Sequence, residues 1–313
     1  MASAPAGKDF AEPDVGGAPA RNGRTTRRSS PGQGNQGSSS WPGQGFGGRP
    51  RRAEAAMKPD ELNRRTWERR DVVREYAGRD AVWTVEKTIF ERYRADLLDR
   101  RILDIGCGAG RTTPALLAYS RQYLGLDYSP AMVERFQSKF PAVPVVVGDM
   151  RRMTGLADGA FDVALCSFNT LDYVGHEDRL AALREIRRVL APGGLFVFSS
   201  HNLNFSGARA EPRPAWTGHP LKLARNLAVW LVESWNHARY RSAQTFGEGY
   251  AVLNDCGHGF RLLSYYIERR RQAAQLAETG FALLETYDKQ GARLGPQDDD
   301  RRSSFLYYVA RKL

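Results

Sequence analysis

From Pro59 onward, two patterns of apolar positions alternate along the chain. Short, mostly apolar runs (Ile102–Ile105, Tyr123–Leu126, Val145–Val147, Phe161–Phe168, Leu195–Phe198) are separated by segments with apolar residues every three or four positions. The runs predict strands and the periodic segments predict helices. Strands alternating with helices point to an α/β chain with a mostly parallel sheet. Two helices lead in. One runs from Pro59, suited to a first helical position, to Gly78; the next is capped by Asp80 and carries Val82, Val85, Ile89, Phe90, Tyr93 and Leu97. The β-branched run Val145–Val147 predicts a strand buried on both faces. Arg179 to Leu190 reads as a helix stopped by Ala191-Pro192-Gly193-Gly194. Later, a helix rich in Arg and Gln ends at Thr279-Gly280-Phe281, and strands follow at Ala282–Thr286 and Phe305–Ala310.

Two regions depart from the alternation. Residues 1–56 are rich in Gly, Pro and Ser and poor in large apolar residues, so they predict a disordered basic tail. Met57 is a candidate start, giving a folded domain over 57–313. Residues 203 to about 250 contain a polar loop and then a helical run from Pro220 to Tyr240, with Leu223, Leu227, Trp230, Leu231 and Trp235. Inserted after the fifth strand, this segment is expected to form a helical lid. Its Lys222, Arg225, Arg239 and Arg241 suggest an acceptor bearing a carboxylate or phosphate. The alternative is that the basic amphipathic run meets a membrane or an acidic partner.

The first run ends in Asp104-Ile105-Gly106-Cys107-Gly108-Ala109-Gly110-Arg111-Thr112. An apolar strand, an acid and a glycine turn before a helix make a ligand site, because the turn admits close approach to the backbone and the helix start presents free N–H groups. The Gly-x-Gly-x-Gly spacing is not that of a dinucleotide fingerprint, and no P-loop is present. Two further strands end in acids, Asp127 in Leu126-Asp127-Tyr128 and Asp149 in Gly148-Asp149-Met150. Asp127 lies about 20 residues beyond the glycines, where an acid accepts hydrogen bonds from ribose hydroxyls, with Tyr128 beside the base.

This arrangement resembles motif I and the following motifs of the class I S-adenosylmethionine (SAM)-dependent methyltransferases, over roughly 95–202 and 262–313. The resemblance implies a doubly wound, Rossmann-like sheet of seven mostly parallel strands with an antiparallel C-terminal hairpin. It implies S-adenosyl-L-methionine as cofactor, with Asp104 near its amino group and Gly106, Cys107, Gly108 and Gly110 against its aminoacyl part. Asp149 then matches the acid on the adenine amino group, with Met150 on the ring. Helices before motif I close over the cofactor in this family, which makes Trp67, Tyr76 and Trp83 pocket candidates. Ser167, Asn169, Asp172 and Tyr173 follow the fourth strand, at the sheet end where ligands bind. Ser167 is assigned to the cofactor, and Asn169, Tyr173, Asn202 and Tyr265 to the acceptor. Asp172 is a candidate to orient an amine or hydroxyl. His201 is the best-placed general base, ahead of His176 and His258; the alternative is a hydrogen-bonding loop histidine.

Composition narrows the remaining classes. The net charge of +11 leaves an RNA-directed enzyme open. Against that reading, no Asn/Asp-Pro-Pro-Tyr follows the fourth strand and no Pro-Cys dipeptide is present. A nicotinamide oxidoreductase fails on glycine spacing, and Tyr308-x-x-x-Lys312 falls on a strand. A non-catalytic SAM-binding scaffold is the other alternative. Three scattered cysteines and no apolar run of about 18 residues fit a cytoplasmic protein without a membrane span. The expected function is methyl transfer to a small-molecule or glycan-like acceptor.

Overall fold

The computed structural model describes residues 59–313; the expected tail over 1–56 and the start at Met57 lie outside these residues. Four short helices come first: α1 (Pro59–Trp67), α2 (Arg70–Ala77), α3 (Thr84–Arg92) and α4 (Arg94–Leu97). The single helix expected from Pro59 to Gly78 is interrupted where Arg69 takes extended backbone angles before α2. Asp80 does not cap α3. The helix opens at Thr84, and Glu86 reaches back to accept from the Trp83 N–H at 2.7 Å.

The alternating body follows: β1 (Ile102–Ile105), α5 (Thr113–Leu117), β2 (Tyr123–Asp127), α6 (Pro130–Lys139), β3 (Val145–Val147), β4 (Phe161–Cys166), α7 (His176–Val189) and β5 (Leu190–Asn202). The insertion holds α8 (Pro220–Tyr240), β6 (Thr245–Gly247), β7 (Tyr250–Leu253) and β8 (Ser264–Ile267). The chain then closes with α9 (Arg269–Glu278), β9 (Phe281–Tyr287) and β10 (Phe305–Lys312).

Five strands run parallel in the order β3-β2-β1-β4-β5. β10 lies antiparallel on β5, and β9 antiparallel on β10, which gives the antiparallel C-terminal hairpin. Alternate residues divide the core into two layers, as a period of two demands. Leu103, Ala164, Phe196 and Tyr308 meet α7 and α9 on one face. Ile102, Val163, Val197 and Tyr307 meet α3 and α6 on the other.

Two expectations need correction. β3 is not buried on both faces: it is the edge strand, and Val146 and Val147 are exposed. The insertion is not purely helical, and among the described residues the sheet has ten strands rather than seven. β6, β7 and β8 form an antiparallel ribbon, and β8 joins β5 in parallel at His201 and Asn202, beyond the end of β4. This ribbon stands at the carboxyl ends of the parallel strands, the edge where such sheets bind ligands. No helix among the described residues is long and apolar enough to cross a membrane.

Candidate active site

A cavity of about 440 Å³, within the size range of small-molecule sites, opens at the carboxyl ends of β1, β2 and β4. Its floor is the glycine turn. Gly106 has φ +68°, and a β-carbon there would stand 2.2 Å from Thr170 Cγ2. Gly108 has φ +54°, yet a β-carbon there would meet nothing within 4 Å. The turn therefore needs left-handed backbone at both positions, and at Gly108 the open space is ligand space.

Three strand-end acids line the cavity. Asp104 is buried and accepts from Thr112 Oγ1 at 2.6 Å and Tyr123 OH at 2.9 Å; burial, partly offset by these two donors, pushes its carboxyl up to about 6. Asp127 is buried too, and burial raises it to about 6 against the pull of the Ser129 and Gly108 N–H groups, at 2.9 and 2.8 Å. Asp149 differs. Arg151 donates to its carboxylate through Nε, Nη2 and the backbone N–H, and the same guanidinium reaches Asp60 and Asp178, each at 2.9 Å. Partial burial pushes the Asp149 carboxyl up, but Arg151 outweighs it and the net shift is downward.

The outer wall comes from the N-terminal helices. Trp67 packs edge-on against Tyr76 and Tyr173, with ring centroids 4.9 and 4.8 Å apart, and Tyr76 against Phe168 at 5.6 Å. Arg79 lies over the Tyr76 ring at 4.3 Å. Three buried polar atoms of lining residues, Trp67 Nε1, Tyr128 OH and Asp60 Oδ1, have no hydrogen-bond partner among the described residues. A buried polar atom left unpaired costs about 1–3 kcal/mol, so three around one cavity mark it as a ligand site.

A family profile described as a methyltransferase domain matches residues 103–198, the span from β1 to β5. Residues 103–198 carry a methyltransferase domain. A probable S-adenosylmethionine-dependent methyltransferase of Mycolicibacterium smegmatis is 27% identical over 188 residues, 58% of this chain and 69% of the relative. A dTDP-4-amino-2,3,4,6-tetradeoxy-D-glucose N,N-dimethyltransferase of Saccharopolyspora spinosa is 32% identical over 130 residues, 41% of this chain and 51% of its own. The chain spans about half the length of several other curated relatives. Among solved structures, the Burkholderia thailandensis 1,6-didemethyltoxoflavin-N1-methyltransferase aligns with a TM-score of 0.50 at 15% identity, over 81% of this chain and 87% of that one, and shows the fold alone. S-Adenosylmethionine is the cofactor of this family.

Within the methyltransferase domain, the expected cofactor residues Asp104, Gly106, Cys107, Gly108, Asp127, Tyr128, Asp149, Met150 and Ser167 all line the cavity, as does the acceptor candidate Tyr173. Gly110 does not; it packs beneath Phe140 and Phe136. Trp67 and Tyr76 line it, whereas Trp83 stacks on Phe305 behind Phe168. Asn169 stands just outside. It and Phe168 have φ of +57° and +56°, two consecutive left-handed non-glycine residues at the end of β4. Such backbone costs on the order of 1–3 kcal/mol per residue and clusters at functional sites.

Several catalytic and acceptor assignments are corrected. Asp172 is fully buried, and its carboxylate is taken by Arg179, Ser200 Oγ and the His201 N–H, so it has no capacity left to orient an acceptor. His201 stacks on Tyr266 with Nδ1 2.8 Å from Asp172 and Nε2 3.2 Å from Asn169; it does not reach the cavity wall. His176 bonds Tyr265 OH at 2.8 Å. Asn202 is spent on the carbonyls of Asp300 and Ser303 and on the Asn204 N–H. Tyr265, buried in β8 under the Arg179 guanidinium, is also off the wall. No residue of 203–250 lines the cavity, so Lys222, Arg225, Arg239 and Arg241 give no support to an anionic acceptor.

Two residues at the site were not anticipated. Arg111 lines the cavity and forms a bidentate pair with the fully buried Glu86, at 2.7 and 2.6 Å. Glu86 also accepts from Ser167 Oγ and, at 2.8 Å, from Tyr307 OH. Burial pushes the Glu86 carboxyl up, but Arg111 and Ser167 hold it below its ordinary value. An acid on the apolar stripe of the helix carrying Val85, Ile89 and Phe90 was the available signal.

Proposed function

We propose that this chain transfers the methyl group of S-adenosylmethionine to a small-molecule acceptor that presents an apolar face, a flat ring or the ring of a sugar. The observation that carries this reading is the set of three unpartnered polar atoms around a cavity with a glycine floor, strand-end acids and an aromatic wall. Asp127 would hold the ribose, Gly106 and Gly108 the aminoacyl part, and Asp104 the ammonium side, while Tyr128 and Met150 border the adenine. When bound, S-adenosylmethionine supplies a methyl group on a positively charged sulfur.

The chain's own task is alignment and exclusion of water. Trp67, Tyr76, Phe168 and Tyr173 offer ring faces and edges to an acceptor and keep that end of the cavity apolar. Asp149, already neutralised by Arg151, is a weaker acceptor for an adenine amino group than Asp127 is for a ribose.

Asp127→Ala should weaken SAM binding by about 1.5–3 kcal/mol, the scale for a hydrogen bond to a charged group. Calorimetry returning wild-type affinity from a folded variant would remove Asp127 from the site. A pH dependence accompanies it. Asp127 and Asp104 both titrate near 6 in the ligand-free fold, above the ~3.9 of a free aspartate. Ligand hydroxyl and ammonium groups favour their ionised forms, so affinity should fall as pH drops through about 6. The contribution of these two acids to ligand-free stability runs the other way. Between about pH 6 and about pH 4 the folded state holds protons that the unfolded chain has released, so acidification through that window favours folding. Equal SAM affinity at about pH 5 and about pH 7.5 would refute ionised acids as the anchor.

A further inference from the structure

Large exposed apolar side chains are not scattered over this domain. Seven of the twelve among the described residues, Trp216, Leu221, Val229, Leu231, Val232, Trp235 and Phe246, fall within residues 216–246. Leu221 is 77% exposed, Trp235 61% and Leu231 60%. α8 has just one acid, Glu233, half-buried near Gly259. Its exposed charges are Lys222, Arg225 and Arg239.

A groove between α1 and α8 continues this surface, with Leu231, Val232 and Trp235 facing a rim of Arg65, Arg69, Arg239 and Arg261. Arg69 is paired with Asp71 at 2.8 Å. Arg65, Arg239 and Arg261 have no carboxylate partner among the described residues. Exposed Trp, Leu and Val bordered by uncompensated cations are the features of a surface that lies on anionic lipid.

We propose that the α8 face docks on the surface of a negatively charged bilayer, with Trp235, Leu231 and Leu221 entering the interface and the arginine rim meeting lipid phosphates. Charge decides against two other occupants. A two-fold pairing of the α8 face with a second copy sets the same patch against itself, cation against cation with no exposed acid on either copy of α8. Residues 1–58 carry Arg21, Arg24, Arg27, Arg28, Arg49, Arg51 and Arg52 against few acids, so they repeat the charge rather than complement it.

The test is co-sedimentation of the full chain with phosphatidylcholine vesicles, pure or containing about one-third phosphatidylglycerol. Binding should be at least about tenfold tighter to the anionic vesicles and weaken at high salt. Two folded variants, Leu231→Ser with Trp235→Ser and Arg65→Glu with Arg239→Glu, should each reduce it about tenfold or more. Neither pair touches the cavity, so SAM affinity serves as the control for folding and is independent of the methyltransferase reading. The proposal fails if both variants bind like the parent, which would place the contact elsewhere in the chain. It fails equally if headgroup charge is immaterial, or if the parent is a dimer in solution that the Leu231/Trp235 variant turns into a monomer.

Discussion

Asp172→Ala is expected to destabilise the domain by about 3–5 kcal/mol, the cost of stranding a buried charge. The stranded group is Arg179, which is as fully buried as Asp172. Its guanidinium donates to Asp172, to the Leu171 carbonyl at 3.1 Å, to Gln275 Oε1 at 3.0 Å, to Gln272 Oε1 at 2.7 Å and to Ser200 Oγ at 3.1 Å. These contacts knit α7, α9, β5 and the turn after β4, but only Asp172 balances the charge. Asp172→Asn should cost less, and Asp172→Ala combined with Arg179→Met should recover part of the loss because the orphaned cation is gone. SAM affinity of the folded variant should change little, since neither residue lines the cavity. Urea unfolding giving a loss below about 1 kcal/mol would show that the pair is not the anchor described here.

Glu86→Ala is the second large effect. It removes the carboxylate shared by Arg111, Ser167, Tyr307 and the Trp83 N–H, and leaves Arg111 largely buried without a counter-charge. A loss of about 3–5 kcal/mol is expected, as for any buried pair broken on one side. Unlike Asp172, Glu86 acts on a cavity residue, so SAM affinity of the surviving folded protein should fall as well. Glu86→Gln keeps most hydrogen bonds and should restore stability more than affinity. A Glu86→Ala variant with parental affinity would show that Arg111 holds its place without the pair.

Sequence reading carried furthest where local chemistry and fold agree. The strands, their acids and the glycine turn were legible because burial, left-handed turns and strand ends leave residue-level marks. What it missed depends on long-range packing. Val145–Val147 is apolar enough for a central strand, and only the strand order makes it an edge. Glu86 and Arg179 each stand on an otherwise apolar helical stripe, yet their partners are 25 and 7 residues away and more distant still through Tyr307 and Gln275. The period of α8 was correct from Pro220 to Tyr240, but period cannot say against which surface a helix lies. The lid was therefore misplaced, and with it the anion-binding role of Lys222, Arg225, Arg239 and Arg241.

Asn63 on α1 ties the turn after β4, inside the matched family region, to the 261–263 backbone, which lies beyond it. Its amide donates to the Tyr173 carbonyl at 2.9 Å and the Leu263 carbonyl at 2.7 Å and accepts from the Leu263 N–H at 2.9 Å, while Thr66 Oγ1 donates to the Arg261 carbonyl at 3.0 Å. The wall of the cavity is thus fastened to the insertion, although the insertion contributes nothing to the wall itself. For engineering, this makes the placement of the wall a two-part code: grafting a relative's first two helices without its matching 261–263 backbone would unfasten Trp67 even if every cavity residue were copied. Exchanges that carry both halves of the clasp should keep the wall in place.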